Sequence, residues 1–374
     1  VKTRAAVLRE MGAERPYADS RPLEIVELEL DPPGRGELLV RVGAAGLCHS
    51  DLSVIDGSRP RVMPMALGHE AAGEVTAVGE GVSDFAVGDH VVLAFVPACG
   101  GCGPCRAGRA ALCEPGAKAN ADGTLLSGAI RLHDGDGRPI HHHLGVSAFS
   151  DHIVVSDRSA VKVDRELDWD VAALFGCAVL TGAGAAIHSA EIRPGDTVAV
   201  FGLGGVGLAA LIGAIAAGAA EVVGVDVVPE KLALARELGA GHAFTAGESC
   251  VDAVRQATDG GADRVIETVG NGEVLADAYA ATRRGGTTVT VGLPDPSRML
   301  SIPAVSLVAE ERTLRGSYLG SCVPALDLPR FIDLYRAGRL PVDRLLSDTL
   351  PLEQVNAGFD RLAEGGVARQ AIVF

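Results

Sequence analysis

The stretch "DTVAVFGLGGVGLAALIGAIAAGAAEVVGVD", Asp196 to Asp226, constrains the fold more than any other part of the chain. It reads as a buried strand, a glycine turn, an apolar helix and a second strand. Within it, "GLGGVG" matches G-x-G-x-x-G at Gly202, Gly204 and Gly207. A strand before the glycines and a helix after them give this pattern its meaning. The first glycine permits the turn, the second lets backbone approach a pyrophosphate, and the third lets helix pack on strand. The helix N-terminus then faces the anion. Asp226 closes the next strand, where a carboxylate would accept hydrogen bonds from both hydroxyls of a ribose and repel a 2′-phosphate. No arginine follows it, only Val227 and Val228, so NAD is expected over NADP. Thr197 to Ala220 carries no charge and is long enough to pass for a membrane span, but its clustered glycines favour strand, turn and buried helix.

Strand and helix patterns continue to alternate beyond this stretch. "PEKLALARELG" is a helix opened by Pro229 and closed by Gly239, and "ADRVIETVG" and "GTTVTVG" are strands. Such alternation predicts an α/β doubly wound parallel sheet with helices on both faces. The first third differs. "LEIVELEL", "ELLVRV", "GEVTAVG" and "DHVVLAFV" are short, valine-rich and bounded by Pro and Gly, which predicts a barrel-like or sandwich-like β region. The expected division is residues 1–177, 178–319, and a return to the first unit over 320–374. A length of 374 residues suits two domains. Residues 114–140 read as a long, loop-like connection. A net charge of −15 argues against nucleic acid or an anionic membrane as the main partner. No basic-then-apolar leader opens the sequence, so a cytoplasmic location is expected.

Four of the eight cysteines crowd into "CGGCGPCRAGRAALC". Cys99, Cys102, Cys105 and Cys113 can wrap one tetrahedral ion and leave it no open position. An iron–sulfur cluster is the competing reading of such spacing. A second donor set must come from distant segments. "GLCHSDLS" offers Cys48, "ALGHEAAGEV" offers His69 and Glu70, and "LFGCAVLTGAG" offers Cys177. Two thiolates and a neutral imidazole balance the charge of Zn²⁺ and leave its fourth position for a substrate oxygen. The run His141 to His143 is not read as a metal site, because three consecutive side chains do not converge on one ion.

"CHSD", "GHE", the four-cysteine loop, "FGC", "GLGGVG" with Asp226, and the closing "RQAIVF" occur in an order that resembles the zinc-dependent medium-chain alcohol dehydrogenases. The resemblance covers nearly the whole chain. It implies a GroES-like β-barrel catalytic domain joined to a Rossmann coenzyme domain. It implies NAD and two Zn²⁺ per chain, and the reversible oxidation of a primary alcohol of medium-chain, allylic or aromatic type to its aldehyde. By the same resemblance Cys48, His69 and Cys177 ligate the catalytic zinc, with Glu70 close behind it. Ser50 passes the substrate proton and Asp51 orients His69. Coenzyme contacts fall to His49, Gly202, Gly204, Gly205, Val206, Gly207, Asp226, Lys231, Val269, Val291, Gly292, Leu293 and Arg369. Phe95, His143, Leu144, Leu293 and Tyr318 are the implied walls of the substrate pocket. The insertion near residues 114–140 implies a homodimer paired through the edges of the coenzyme domains.

Three departures from the family pattern narrow the expectation. Many relatives carry a His where Ser53 stands, completing a proton path. Glutathione-linked formaldehyde dehydrogenases carry an Arg where Ala117 stands. Polyol dehydrogenases commonly carry Glu where Cys177 stands. Ala117 counts against a glutathione adduct and Cys177 against polyols; the alternatives kept are a thiol-adduct formaldehyde dehydrogenase and a zinc-free, quinone reductase-like relative. Cys250 and Cys322 have no ligand-spaced partners and are read as structural.

Overall fold

The computed structural model describes residues 1–374. The glycine-turn stretch forms strand Thr197–Phe201, helix Gly205–Ala216 and strand Glu221–Asp226. These belong to a six-stranded, all-parallel sheet. Its order is His242–Thr245, Glu221–Asp226, Thr197–Phe201, Ala262–Glu267, Thr282–Thr290 and Thr313–Gly316. The chain works outward in one direction from Thr197–Phe201, then returns to its other side with Ala262–Glu267. A crevice opens at the carboxyl ends of those two strands, which is where open α/β sheets take their ligands.

The β-rich region holds a closed barrel of Lys2–Leu8, Leu23–Leu30, Leu132–His133, Pro139–His142 and Met65–Ala66. A seven-stranded sheet lies beside it. Its centre is Glu37–Gly46, which pairs with Glu70–Val78 on one edge and with the C-terminal strand Arg369–Val373 on the other. The last strand thus brings Arg369 next to Leu47 and the start of "CHSD". The expected loop over 114–140 is corrected here. Glu114–Asp122 is a helix, and residues 132–133 and 139–142 are strands that help close the barrel. The helix signals were local: Cys113 caps the Gly116 N–H, Pro115 stands in the first turn, and Gly123 ends the helix in the left-handed region. The two short strands had no alternation long enough to read.

A continuous helix runs from Trp169 to Ser189. It contains two π-helical turns, Phe175–Val179 and Ala185–Ser189. It is apolar and long enough to cross a bilayer, yet 89% of its apolar window is buried in protein, so it is a core helix. One buried core includes Cys48, Phe95 and Cys177 together with Val200, Leu208 and Val289. The barrel side and the parallel sheet therefore share their packing at the site described next.

Candidate metal and coenzyme sites

Cys48 is the residue before helix His49–Ile55, with extended backbone that turns its side chain inward. His69 and Glu70 stand where strand Glu70–Val78 begins. Gly68 precedes them at φ +94°, and a Cβ there would lie 2.5 Å from the Phe149 backbone nitrogen, so only glycine permits this approach. Cys177 lies in the first π-turn of the long helix, a device that recurs at functional sites because it re-aims a side chain. The ligand atoms of Cys48, His69, Glu70 and Cys177 all fall within 4.8 Å of one another, and all four residues are buried. Two thiols, an imidazole and a carboxylate around one point form a donor set suited to zinc.

The charges in this cluster are coupled. Cys177 hydrogen-bonds Cys48 and holds its thiol well below the ordinary range against the cost of burial, helped by Arg369 and His69. Cys177 is pushed up by that same bond and by burial. Burial pushes Glu70 up to about 7, against the pull of Arg369. Burial disfavours the Asp51 carboxylate too, but His69 and His143 overcome it and bring Asp51 to about 2. His69 Nδ1 sits 3.0 Å from Asp51 Oδ2. Although burial opposes its charge, Asp51 and Cys48 raise the His69 imidazole well above its usual value. A dication bound at Nε2 would replace that proton. His69 Nε2 is buried and has no hydrogen-bond partner, as a ligand nitrogen requires.

The sulfurs of Cys99, Cys102, Cys105 and Cys113 also lie within 4.8 Å of one another. Backbone N–H groups donate to two of them: Gly101 and Cys102 to Cys99, and Cys99 and Gly116 to Cys113. The backbone around Cys105 draws Cys102 down to about 7, while burial pushes Cys105 up to about 12. Four thiolates this close repel one another unless a cation lies among them. The loop is a second candidate zinc site.

Along the crevice, Gly202 turns the chain at φ +89°. A Cβ on Gly207 would fall 1.8 Å from the Gly202 carbonyl, whereas one on Gly204 would meet nothing within 4 Å. Asp226 accepts from the Leu203 N–H at 2.6 Å and from the Val228 N–H at 3.0 Å, so it braces the glycine turn. Lys231 is buried in helix Pro229–Glu237, in reach of the chain at Gly365. Arg369 lies against Gly205, donates to the Leu47 carbonyl at 3.0 Å, and sets Nη2 3.3 Å from Glu70 Oε2. Its Nε and Nη2 are buried without hydrogen-bond partners, which suits an anion at the helix N-terminus. Val269, Val291, Gly292 and Leu293 follow the carboxyl ends of Ala262–Glu267 and Thr282–Thr290. Val206 opens the helix between Gly205 and Gly207. His49 is exposed and Ser50 half-buried in the first turn after Cys48.

Two residues were missed by sequence reasoning. Glu267 is fully buried at the crevice, where it accepts from the Val269 and Gly270 N–H groups at 2.6 Å and from Thr290 Oγ1 at 2.8 Å. A carboxylate closing an apolar strand was the available signal. His143 was read only as a pocket wall, yet it joins Asp51 and His69 in one buried group. Its neighbours in the run diverge: His142 Nε2 accepts from the Arg131 N–H, and His141 packs on Gly123. Leu144 adopts the left-handed region at φ +52°, an arrangement a bulky residue holds only when its surroundings force it. Phe95 packs edge-on to both His69 and Tyr318, with centroids at 5.5 and 5.8 Å. Cys250 is buried as expected. Cys322 is buried too, and has His188 and Asp327 as close neighbours.

Comparison with known proteins agrees with this geometry. Residues 34–165 match the family described as alcohol dehydrogenase GroES-like domain, and residues 205–337 match zinc-binding dehydrogenase. A Mycobacterium tuberculosis protein provisionally named alcohol dehydrogenase D is 42% identical over 377 residues, covering all of both chains. An NDMA-dependent alcohol dehydrogenase of Amycolatopsis methanolica is 40% identical over all of this chain and 99% of its own. The crystal structure of benzyl alcohol dehydrogenase from Acinetobacter calcoaceticus superposes with a TM-score of 0.90 at 30% identity, covering 100% of this chain and 99% of that one.

Proposed function

This chain belongs to the zinc-binding medium-chain alcohol dehydrogenase family and is a zinc-dependent alcohol dehydrogenase, and from that premise we propose its finer chemistry: the reversible oxidation of a primary alcohol, medium-chain, allylic or aromatic, with NAD as acceptor. The observation that carries this reading is the meeting of Cys48, His69 and Cys177 beside Arg369, whose side chain also lies on the glycine turn. One guanidinium thus spans the candidate metal site and the candidate coenzyme site. Bound at Cys48, His69 and Cys177, zinc would polarise an alcohol oxygen and ease its deprotonation, and the nicotinamide of a coenzyme on the glycine turn would accept hydride.

The chain's own residues do the rest. Asp51 draws the proton of His69 to Nδ1, which leaves the Nε2 lone pair free to ligate. The Ser50 hydroxyl, two residues after Cys48 in the sequence, takes up the alcohol proton and passes it outward. Ser53 donates its own hydroxyl to the His49 carbonyl at 2.7 Å, so the path runs on to solvent instead of through a side chain at that position. Phe95 and Leu144 are buried and keep water from the reacting carbon. Asp226 favours a free ribose over a phosphorylated one. Residues 178–319 act as the coenzyme domain in this reading, between a catalytic unit over 1–177 and its return over 320–374. The working form is a cytoplasmic homodimer.

The test combines metal analysis with a panel of primary, secondary and aromatic alcohols. Acceptors are NAD, NADP and NDMA, the last because one relative carries it in its name. Two zincs per chain and aldehyde formation from primary alcohols are expected, and Cys177→Ser should keep one zinc while losing turnover. Strict dependence on an added thiol would move the assignment to formaldehyde adducts. Substantial turnover in Cys177→Ser would refute the ligand set.

A further inference from the structure

Helix Glu114–Asp122 fastens the four-cysteine loop to the wall beside His69. At its start, Cys113 Sγ accepts from the Cys99 and Gly116 N–H groups, at 3.2 and 3.4 Å. A Cβ on Gly116 would run into the Pro97 carbonyl, so only glycine lets the helix lie this close to the segment after Leu93. One turn further on, Asn120 Nδ2 donates to the Phe95 carbonyl at 2.9 Å. Phe95 lies just past the end of strand His90–Leu93, so a side chain holds its carbonyl where no strand ladder does.

Asn120 is buried, and its amide reaches in two directions. Its Oδ1 is shut off from solvent and has no hydrogen-bond partner. A Cβ on Gly145 would stand 3.7 Å from that oxygen, so this end of the amide faces the turn His143–Gly145. The turn carries His143, whose ring meets His69 edge-on with centroids 5.4 Å apart. Phe95 meets the same imidazole edge-on at 5.5 Å. One amide therefore stands between the two backbone segments that set rings against His69. Packing alone does not explain it. A leucine would fill the same helical position without burying an oxygen that bonds nothing.

We propose that Asn120 is a positioning residue for the alcohol. Through the Phe95 carbonyl and the His143–Gly145 turn it sets the width of the pocket beside His69, and with it the discrimination between flat aromatic and short aliphatic alcohols. Phe95 meets the substrate, and Asn120 acts through Phe95. A flat ring that fills the space between the walls depends on where they stand, whereas a short chain touches little of them. This inference rests on the alcohol-oxidising reading above and names what sets its selectivity.

The test compares kcat/KM for benzyl alcohol and 1-propanol. Asn120→Leu keeps the bulk of the side chain and loses the donated N–H. It should lower the benzyl-to-propyl ratio about fivefold or more, chiefly through KM for benzyl alcohol, with zinc content and coenzyme Kd unchanged. Phe95→Ala should lower the ratio too, and adding Asn120→Leu to it should lower the ratio no further, because the two residues act as one unit. Asn120→Asp, which keeps the shape and puts an oxygen where the N–H stood, serves if the leucine variant does not fold. A crystal structure of either variant should show the Phe95 ring displaced from its edge-on contact with His69. An unchanged ratio in a folded Asn120 variant, additive losses in the double variant, or an unmoved Phe95 overturns the proposal. If the unaltered protein oxidises no alcohol, the functional reading itself has failed, and the place of Phe95 in the variants still decides the role of Asn120.

Discussion

His143 holds its Nδ1 2.9 Å from Asp51 Oδ1, on the carboxylate oxygen opposite the one that faces His69. The Gly68 N–H donates to the same Oδ1 at 3.0 Å. Two contacts on Oδ1 thereby fix Asp51 on the side away from His69, the proposed metal ligand. Asp51→Asn would turn an N–H toward one of the two imidazoles and upset its tautomer. Zinc affinity or turnover should fall about 10–100-fold, read by chelator competition and by kcat. His143→Phe keeps the His69 contact, so its loss should stay within about tenfold. Wild-type zinc retention and kcat in Asp51→Asn would show that His69 needs no such partner.

Asp226 serves the glycine turn as well as any ribose. Asp226→Gly should shift the ratio of kcat/KM for NAD over NADP by about tenfold or more toward NADP. Asp226→Asn keeps an acceptor for Leu203 and should shift the ratio less. An unchanged ratio in Asp226→Gly would mean the ribose lies elsewhere.

Two glycines of the same motif should fail in different ways. Gly207→Ala forces a Cβ onto the Gly202 carbonyl and should destabilise the fold by about 2 kcal/mol or more, seen as a lower Tm. Gly204→Ala meets empty space at φ −69° and should melt like the parent. Its methyl group would instead stand where the pyrophosphate approaches, so coenzyme Kd should rise. Calorimetry and coenzyme titration of both variants separate the two. A wild-type Kd for Gly204→Ala would remove the pyrophosphate from that turn.

Asp263 ties the neighbouring strands Thr197–Phe201 and Ala262–Glu267 of the parallel sheet. It accepts from the Thr197 N–H at 2.9 Å and from Thr197 Oγ1 at 2.8 Å, and pairs with Arg283 at 3.0 Å. Burial disfavours its charge, but Thr197 and Arg283 hold its carboxyl below the ordinary value. A depressed folded-state value contributes stability above the unfolded-state value, near pH 3.9, which is lost as pH falls through the folded one. Asp263→Asn should cost about 2 kcal/mol at neutral pH, with the gap to wild type closing as pH falls below the unfolded-state value of about 3.9. Denaturant melts across that range test it, and a gap constant down to low pH would exclude the carboxylate as its source.

Some of the site was legible because its parts are neighbours along the chain. The four-cysteine loop lies within fifteen residues, so spacing alone placed its thiols. "GLGGVG" and Asp226 belong to one strand–helix–strand unit, whose geometry follows from glycine sterics and apolar periodicity. The loop expected over 114–140 failed for the complementary reason. A two-residue strand such as Leu132–His133 has no periodicity of its own and exists only because its partners hydrogen-bond to it.

The sequence by itself determined the alternation of strands and helices, the four-thiol loop and the glycine turn, since each is set by local backbone preference and short spacing. Only the tertiary structure decided that a π-turn would aim Cys177 at Cys48, that His143 would close on Asp51, and that Arg369 would reach from the last strand to Glu70 and the glycine turn. These meetings depend on the path of the whole chain and on which way each packed element turns its side chains, and neither is written in any short stretch of residues.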